Sequence, residues 1–290
     1  MPRELSAEPQ REQERRPENF ITAYYMRHGE SSSDKNDPLR GLTDKGIEQV
    51  RKAVERVASE IPDKNSQIRL YSSGSERTRQ QCIVAAAVLR DANFTNITID
   101  ANSLPEKRAE LTGKGVRFTK ILSGDELKEA QAATIAQLGL RQEGPGIGKR
   151  IAELKAPKEY PTKLRGLEAD TGISAVVHWL TDKEVPAGAE SRAQKAATVA
   201  KAVEIANRWA EHMRRAAEKG KEVKPMVALA FGHSSALTAY GADVFGWQGE
   251  ELAEVENAEG LKIDFSGIAD ETPRIQPFGE KIEAKVNPIG

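Results

Sequence analysis

The chain has 290 residues, enough to bury a large hydrophobic core without disulfides or metals. Its 43 Lys and Arg residues balance 44 Asp and Glu residues, and the formal net charge of -1 favours neither nucleic acid nor a membrane as a partner. No apolar run approaches the ~20 residues of a membrane span, no secretory signal opens the sequence, and with a single cysteine, Cys82, no internal disulfide can form. The composition therefore predicts a cytoplasmic protein.

The first strand is predicted at Ile21–Met26, after an arm, residues 1–19, that is mostly charged, Pro or Gln and is expected to be disordered. The tetrapeptide Arg27–Glu30, Arg-His-Gly-Glu, follows this strand directly. Polar residues there lie where open α/β sheets bind ligands, at the carboxyl ends of the strands. Because imidazole is nucleophilic near neutral pH and guanidinium binds phosphate through two hydrogen bonds, the tetrapeptide predicts phosphoryl chemistry.

Two helices and two further strands are predicted before residue 100. The first helix shows apolar residues at helical spacing, namely Ile47, Val50, Val54 and Val57. A second strand at Ile68–Tyr71 is followed by a turn and helix cap over Ser72–Ser75. Arg77 then stands near the start of a helix that includes Thr78–Arg90, and a short third strand is predicted at Asn96–Asp100.

A third strand that is followed by polar residues is predicted in the last part of the chain. A long helix carries an apolar stripe consisting of Val199, Val203, Ala206, Ala210 and Met213. The apolar strand Met226–Phe231 comes next and ends in Gly232 and His233, with a helix from Ser235. In the tail, strands are predicted at Leu261–Phe265 and Lys281–Val286.

Three predicted strands thus end in an Arg-His pair, an Arg and a Gly-His pair, which share one edge if the sheet is parallel. The Arg-His-Gly strand end, a Ser-Ser-x-x-x-Arg segment that ends at Arg77 and a late Gly-His resemble the histidine phosphatase superfamily, the phosphoglycerate-mutase-like group. The resemblance covers residues 20 to about 115 and 186 to about 266. It implies a three-layer α/β sandwich over residues 20–290, with a mostly parallel central sheet and helices on both faces. Residues 113–187, which interrupt the alternation of strands and helices, would be an inserted cap.

The resemblance also implies roles for four residues at these strand ends. His28 would be the nucleophile that forms a phosphohistidine intermediate. Arg27 and Arg77 would bind the phosphate oxygens, and His233, expected to be cationic, would donate to another oxygen.

The family's position for the general acid falls on Glu106. The family usually has Gly four residues later, where this chain departs with Glu110, and Glu110 is the alternative acid. Glu30 is expected to orient a neighbouring Arg or His by hydrogen bonding. The family often has an Asn that contacts the phosphate, where this chain has Asp34, and Asn36 is a candidate replacement. An aspartate would repel phosphate, so this part of the site departs from the family's pattern.

Glu190 and Ser191 resemble the family's Gly-Glu-Ser segment, and as an alternative Ser191 is simply the N-cap of the next helix. The predicted function is a metal-independent phosphatase; the alternatives are a phosphoglycerate-mutase-like phosphomutase and a non-catalytic phosphate-binding protein. No cluster of His, Cys and Asp has metal-ligand spacing, so neither a metal nor another cofactor is expected. The expected substrate is a small phosphoester or a phosphopeptide. Three cations of the expected cap, Lys149, Arg150 and Lys155, would favour several negative charges on it.

Overall fold

A computed structural model of the chain describes residues 18–32, 41–73, 75–99, 117–118, 191–247 and 255–286. The expected N-terminal arm, apart from its last two residues, and nearly all of the expected cap lie outside the described residues. Among the helices that the structure describes, none has both the length and the apolarity that crossing a membrane requires.

The described residues form a seven-stranded sheet. Its strands in chain order are β1 (Ile21–Arg27), β2 (Gln67–Ser72), β3 (Ile97–Ile99), β4 (Arg117–Phe118), β5 (Met226–Gly232), β6 (Gly260–Phe265) and β7 (Arg274–Phe278). Their order across the sheet is β4-β3-β2-β5-β1-β6-β7. The five strands from β4 to β1 are parallel to one another, whereas β6 runs antiparallel to both β1 and β7. The mostly parallel sheet predicted from the sequence is therefore confirmed.

Helices cover both faces of this sheet. They are α1 (Asp44–Glu60), α2 (Glu76–Asp91), α3 (Arg192–Glu218), α4 (Ser234–Phe245) and α5 (Glu280–Val286). Alternate residues of β1 enter different cores: Tyr24 packs with α1 and α2, whereas Tyr25 packs with α3 and α4. The predicted three-layer arrangement is confirmed.

The apolar stripe of α1 explains why this helix docks on the sheet. Val50, Val54 and Val57 are all fully buried against the strands, and burial of each side chain contributes roughly 1.5–3 kcal/mol. Cys82 of α2 is fully buried in the same core, as the sequence predicts. β5 is buried along its whole length, because it lies between two parallel neighbours and under helices on both faces. Its uninterrupted apolar sequence agrees with this burial.

The strand predicted at Lys281–Val286 is wrong, because this segment lies in α5 and the edge strand is β7 instead. Its alternating apolar residues suit a strand, yet Ile282 is buried and Ala284 is exposed. The first turn of α5 is fixed by a residue far away in sequence: the Glu259 carboxylate accepts the backbone N–H of Lys281 at 2.9 Å. The local pattern therefore gives no sign of the helix.

The sheet also extends into the segment that the sequence predicts as a cap. Arg117 and Phe118, within residues 113–187, form β4 and pair in parallel with β3. These two residues therefore belong to the central sheet, and the remainder of that segment lies outside the described residues.

Candidate functional site

The carboxyl ends of β2, β5 and β1 lie side by side at one edge of the sheet. The register pairs Arg27 with Gly232 and Ser72 with Phe231. Beyond the strands, the backbone N–H of His28 donates to the Gly232 carbonyl at 3.1 Å, which continues the pairing of β1 with β5. The residues that follow the three strands are therefore brought together, as the sequence predicts for parallel strands.

Two histidines meet at this edge. The ring centroids of His28 and His233 are 5.3 Å apart, and the rings stand at 74° to each other. Both side chains are buried, with 9% and 6% of their surfaces exposed. The Nδ1 atom of His28 lies 2.7 Å from the carbonyl oxygen of Gly29. Because a carbonyl only accepts, Nδ1 carries the hydrogen and the lone pair of the neutral ring is on Nε2.

The surroundings of His28 keep its imidazole neutral. Burial lowers the pKa of His28 to about 3, and the positive charges of Arg77 and Arg27 act in the same direction against the opposing hydrogen bond to Gly29. A neutral imidazole with a lone pair on Nε2 is a nucleophile over the whole range near neutral pH.

His233 is held by a hydrogen bond at each of its ring nitrogens. Arg77 Nη2 lies 3.3 Å from Nδ1, and since guanidinium only donates, Nδ1 must be the acceptor. The hydrogen is then on Nε2, which lies 3.2 Å from the hydroxyl of Ser73. Burial lowers the pKa of His233 well below its ordinary value, as do the neighbouring His28, Arg77, Arg27 and Lys195. His233 is therefore neutral in this structure, contrary to the cation expected from the sequence.

Two arginines line the site from different elements. Arg77 stands in the first turn of α2, and Arg27 is the last residue of β1, where its Nη1 donates to the Val255 carbonyl at 2.8 Å. His233 is the N-cap residue of α4, so the positive end of that helix dipole lies beside the histidines. The charges and the dipole together favour an anion at this edge of the sheet.

Glu30 does not have the partner that the sequence predicts. It is expected to orient an Arg or His of the site, but its carboxylate binds Lys45 Nζ at 2.7 Å and accepts from Thr43 Oγ1 at 3.2 Å. The hydrogen bond from Lys45 is the largest cause of the lowered pKa of Glu30. Glu30 therefore links the end of β1 to the start of α1, because its carboxylate binds Thr43 and Lys45 there.

Ser191 caps α3, which confirms its alternative role. Its hydroxyl accepts the backbone N–H of Gln194 at 3.2 Å, and the Gln194 side chain returns a bond to the backbone N–H of Ser191 at 2.7 Å. The remaining sequence candidates lie outside the described residues, namely Asp34, Asn36, Glu106, Glu110 and Glu190.

The structure adds three residues to the site that the sequence interpretation missed. Ser73 and Thr78 form a row of hydroxyls behind His233, with Ser73 Oγ 3.2 Å from Thr78 Oγ1. Lys195 of α3 is 3% exposed, and its charge contributes to the lowered pKa of His233. Lys195 stands one helical turn before Val199, which puts a lysine on the buried stripe of α3. This spacing is the feature of the sequence from which Lys195 could have been identified.

Two surface cavities of about 380 and 710 Å³ lie away from this edge of the sheet, the first lined by residues including Arg51 and Asp91 and the second by residues including Arg56 and Glu283. Within the described parts of the chain, no group of three His, Cys, Asp or Glu side chains is arranged to hold a metal ion.

No protein-family model matches the sequence, and no curated protein matches it significantly. Among solved structures, the chain is similar to a phosphoglycerate mutase from Bacillus anthracis, with 16% identity and a TM-score of 0.42 over 93% of this chain and 97% of that chain. It is similar to a mycobacterial glucosyl-3-phosphoglycerate phosphatase, with 17% identity and a TM-score of 0.41 over 89% and 98%. It is also similar to a phosphoserine phosphatase from Entamoeba histolytica, with 12% identity and a TM-score of 0.32 over 91% and 99%. At these values, the function has to be inferred from the residues of the site.

Proposed function

We propose that the chain is a member of the histidine phosphatase superfamily and hydrolyses phosphomonoesters through a phosphohistidine intermediate on His28. The observation that carries this proposal is the hydrogen bond from His28 Nδ1 to the Gly29 carbonyl, 2.7 Å long, which leaves the lone pair on Nε2. That nitrogen belongs to a buried neutral ring beside two guanidinium groups and a second histidine. The Arg-His-Gly, Ser-Ser-x-x-x-Arg and Gly-His segments support the same family.

The charges of the site suit a phosphomonoester. A phosphate dianion repels anionic nucleophiles, so a neutral imidazole among cations is the better attacking group. His28 Nε2 forms a bond to phosphorus while the bond from phosphorus to the ester oxygen breaks. Arg27, Arg77 and His233 stabilise the charge on the three equatorial oxygens, where fixed donors contribute most to catalysis.

The proton for the leaving oxygen comes from Glu106 in this proposal, with Glu110 as the alternative. The resulting carboxylate then takes a proton from the water that hydrolyses the phosphohistidine. Glu106→Gln should lower the rate with a poor leaving group such as an alkyl phosphate much more than with p-nitrophenyl phosphate, which needs little protonation. If Glu110→Gln shows this pattern and Glu106→Gln does not, Glu110 is the acid.

Hydrolysis is favoured over transfer to a second acceptor. The mutases of the family have an aromatic residue where this chain has Ser33, and a Glu-Arg pair followed by Tyr-Gly where this chain has Glu106–Ala109. A mutase must also exclude water from its phosphohistidine. The measurement is the product: release of inorganic phosphate without transfer to 2- or 3-phosphoglycerate supports a phosphatase, whereas isomerisation of phosphoglycerates would make the mutase correct.

The central test is hydrolysis of p-nitrophenyl phosphate. Wild type should release p-nitrophenol and, after rapid quenching, hold an acid-labile, base-stable phosphoryl group, while His28→Ala should lose both. His212→Ala is the matched control, because His212 lies on α3 and is not one of the predicted site residues. A wild type that binds inorganic phosphate but turns over no phosphomonoester would make it a binding protein instead.

Three further expectations belong to the same proposal. Activity should survive EDTA, because no step uses a metal. The cytoplasmic location remains a prediction.

A substrate with several negative charges is expected from Lys149, Arg150 and Lys155, and neutralising all three should raise KM for such substrates more than for p-nitrophenyl phosphate.

A further inference from the structure

A row of buried hydroxyl groups stands behind His233. Ser73 and Thr78, at most 1% exposed, form what we call the hydroxyl pair. Ser73 Oγ lies 3.2 Å from His233 Nε2 on one side and 3.2 Å from Thr78 Oγ1 on the other. Thr78 Oγ1 in turn donates to the backbone carbonyl of Ser75 at 2.8 Å.

The direction of each hydrogen bond in this row follows from its two ends. The Ser75 carbonyl only accepts, so the single hydroxyl hydrogen of Thr78 is used there and Thr78 Oγ1 accepts from its other neighbours. Ser73 can then donate its hydroxyl hydrogen to Thr78 and accept one from His233 Nε2. In this arrangement Nε2 carries a hydrogen, although the Ser72 and Ser75 hydroxyls, 2.9 and 3.0 Å from Thr78 Oγ1, compete with Ser73 for its two acceptor sites.

The other side of the ring requires the same tautomer. Arg77 Nη2 lies 3.3 Å from His233 Nδ1 and can only donate, which leaves Nδ1 as an acceptor in the neutral ring. If the hydrogen moved to Nδ1, it would oppose the guanidinium hydrogen, and Nε2 would lose its donor role toward Ser73. The two contacts agree, and the one with Ser73 is buried.

We propose that the hydroxyl pair, Ser73 and Thr78, positions His233 by keeping a hydrogen on Nε2, so that only Nδ1 exchanges a proton when an anion binds. This inference rests on the proposed function, in which His233 contacts a phosphoryl oxygen. When a phosphate dianion binds, Arg77 donates to a phosphoryl oxygen in place of Nδ1. Nδ1 then takes up one proton from the solvent and donates a hydrogen bond through it to another phosphoryl oxygen. Throughout this change, Nε2 stays bonded to Ser73 and the ring does not turn.

The first test reads the tautomer directly by 15N NMR of histidine-labelled protein, with His233→Asn to assign the signals. Wild type should show a protonated Nε2 and an unprotonated Nδ1, and inorganic phosphate should protonate Nδ1 alone. Ser73→Ala and Thr78→Val should give a mixture of tautomers. Thr78→Val keeps the shape of the side chain, so it remains informative if Ser73→Ala fails to fold.

The second test uses the rate of phosphate-ester hydrolysis and its pH dependence. Ser73→Ala and Thr78→Val should lower kcat by about tenfold, the size expected for one lost buried hydrogen bond, and should shift the acidic limb of the kcat profile. Thr78→Ser should restore both. Ser72→Ala is the matched control: its hydroxyl is buried and 2.9 Å from Thr78 Oγ1, whereas the hydroxyl that bonds His233 Nε2 is that of Ser73.

The inference is overturned if Ser73→Ala and Thr78→Val keep the wild-type tautomer, or if both lower kcat with no change of pH profile, as a general loss of packing would. It is likewise overturned if Ser72→Ala changes the tautomer equally. Failure of the proposed function is a separate outcome: a chain without phosphatase activity can still show the fixed tautomer of His233 by NMR.

Discussion

The buried neutral state of His28 links the site to the stability of the whole protein. Its folded pKa of about 3 lies below the value of about 6.5 expected for an unfolded chain, so below that value the unfolded state binds more protons. The contribution of His28 to stability is therefore complete above pH 6.5 and is lost as the pH falls toward 3. At pH 4.5 the loss is about 2–3 kcal/mol, since one pKa unit corresponds to about 1.4 kcal/mol.

His28→Asn tests this linkage, because an Asn amide keeps a donor for the Gly29 carbonyl but does not titrate. Between pH 7.5 and 4.5 the free energy of unfolding should fall by about 2–3 kcal/mol less in His28→Asn than in wild type. Urea denaturation at both pH values gives the measurement. His212→Asn is the comparison: burial and Arg215 lower the pKa of His212 as well, so a smaller change in the same direction is expected. Equal losses in wild type and His28→Asn would show that the pKa of His28 is not depressed in the folded state.

Arg77 should influence both histidines at once. Its positive charge lowers the pKa of His28, second only to burial, and it also lowers the pKa of His233. Removing the charge in Arg77→Met should therefore raise the pKa of both rings, as followed by NMR titration. Arg79→Met is the control, because Arg79 stands on the same helix and is not among the causes of either shift. An unchanged pKa of His28 in Arg77→Met would contradict the placement of Arg77 at this site.

At the scale of elements, the start of α1 packs against the residues after β1 with no room for a side chain. A Cβ atom on Gly46 would stand 2.0 Å from the carbonyl oxygen of Glu30, and one on Gly29 would stand 2.4 Å from the carbonyl oxygen of Gly46. Thr43 closes the same contact, since its backbone N–H donates to the Glu30 carbonyl at 3.0 Å. The position of His28 thus depends on backbone contact between a helix and a strand end.

Gly46→Ala should therefore cost about 2–3 kcal/mol of stability and should also lower kcat, because the displaced backbone adjoins His28. Gly220→Ala is a matched control with a different penalty. At Gly220 a Cβ atom meets nothing within 4 Å, but φ is +74°, so only about 1–2 kcal/mol of backbone strain and no change of kcat are expected. Denaturant unfolding and steady-state rates measure both effects, and equal kcat values for the two variants would refute the role of the contact.

At the scale of the whole molecule, the two cores share one sheet and should unfold together. Leu229 belongs to the core under α1 and α2, whereas Trp247 lies in the opposite core. Leu229→Ala should cost about 2–5 kcal/mol and lower the melting midpoint seen by tryptophan fluorescence as much as that seen by circular dichroism. A Trp179→Phe background confines the fluorescence to Trp209 and Trp247.

Val244→Ala is the control for this prediction, because Val244 is 39% exposed and its truncation should change the midpoint little. Separate midpoints for fluorescence and circular dichroism in Leu229→Ala would mean that the two faces unfold independently.

The sequence predicts the parts of this molecule that depend on local pattern. β1 and β5 are mostly apolar runs, β2 alternates apolar with polar residues, and the polar ends of the three converge because parallel strands share an edge. The partner of Glu30 and the cap of α5 could not be predicted, since Lys45 and Glu259 reach their partners across loops. The tautomers of the histidines depend on buried contacts that form only after folding.

The position of β5 between β1 and β2 has a consequence for how the protein is made. Both neighbours precede β5 in the chain, so a growing polypeptide on the ribosome carries His28 and Arg77 long before the strand that joins them emerges. The central place in the sheet can be filled only after β5, Met226–Gly232, has emerged. A chain cut between residues 191 and 225 divides the site into two fragments, one with His28 and one with His233. Recovery of activity on mixing such fragments would report insertion of the last central strand.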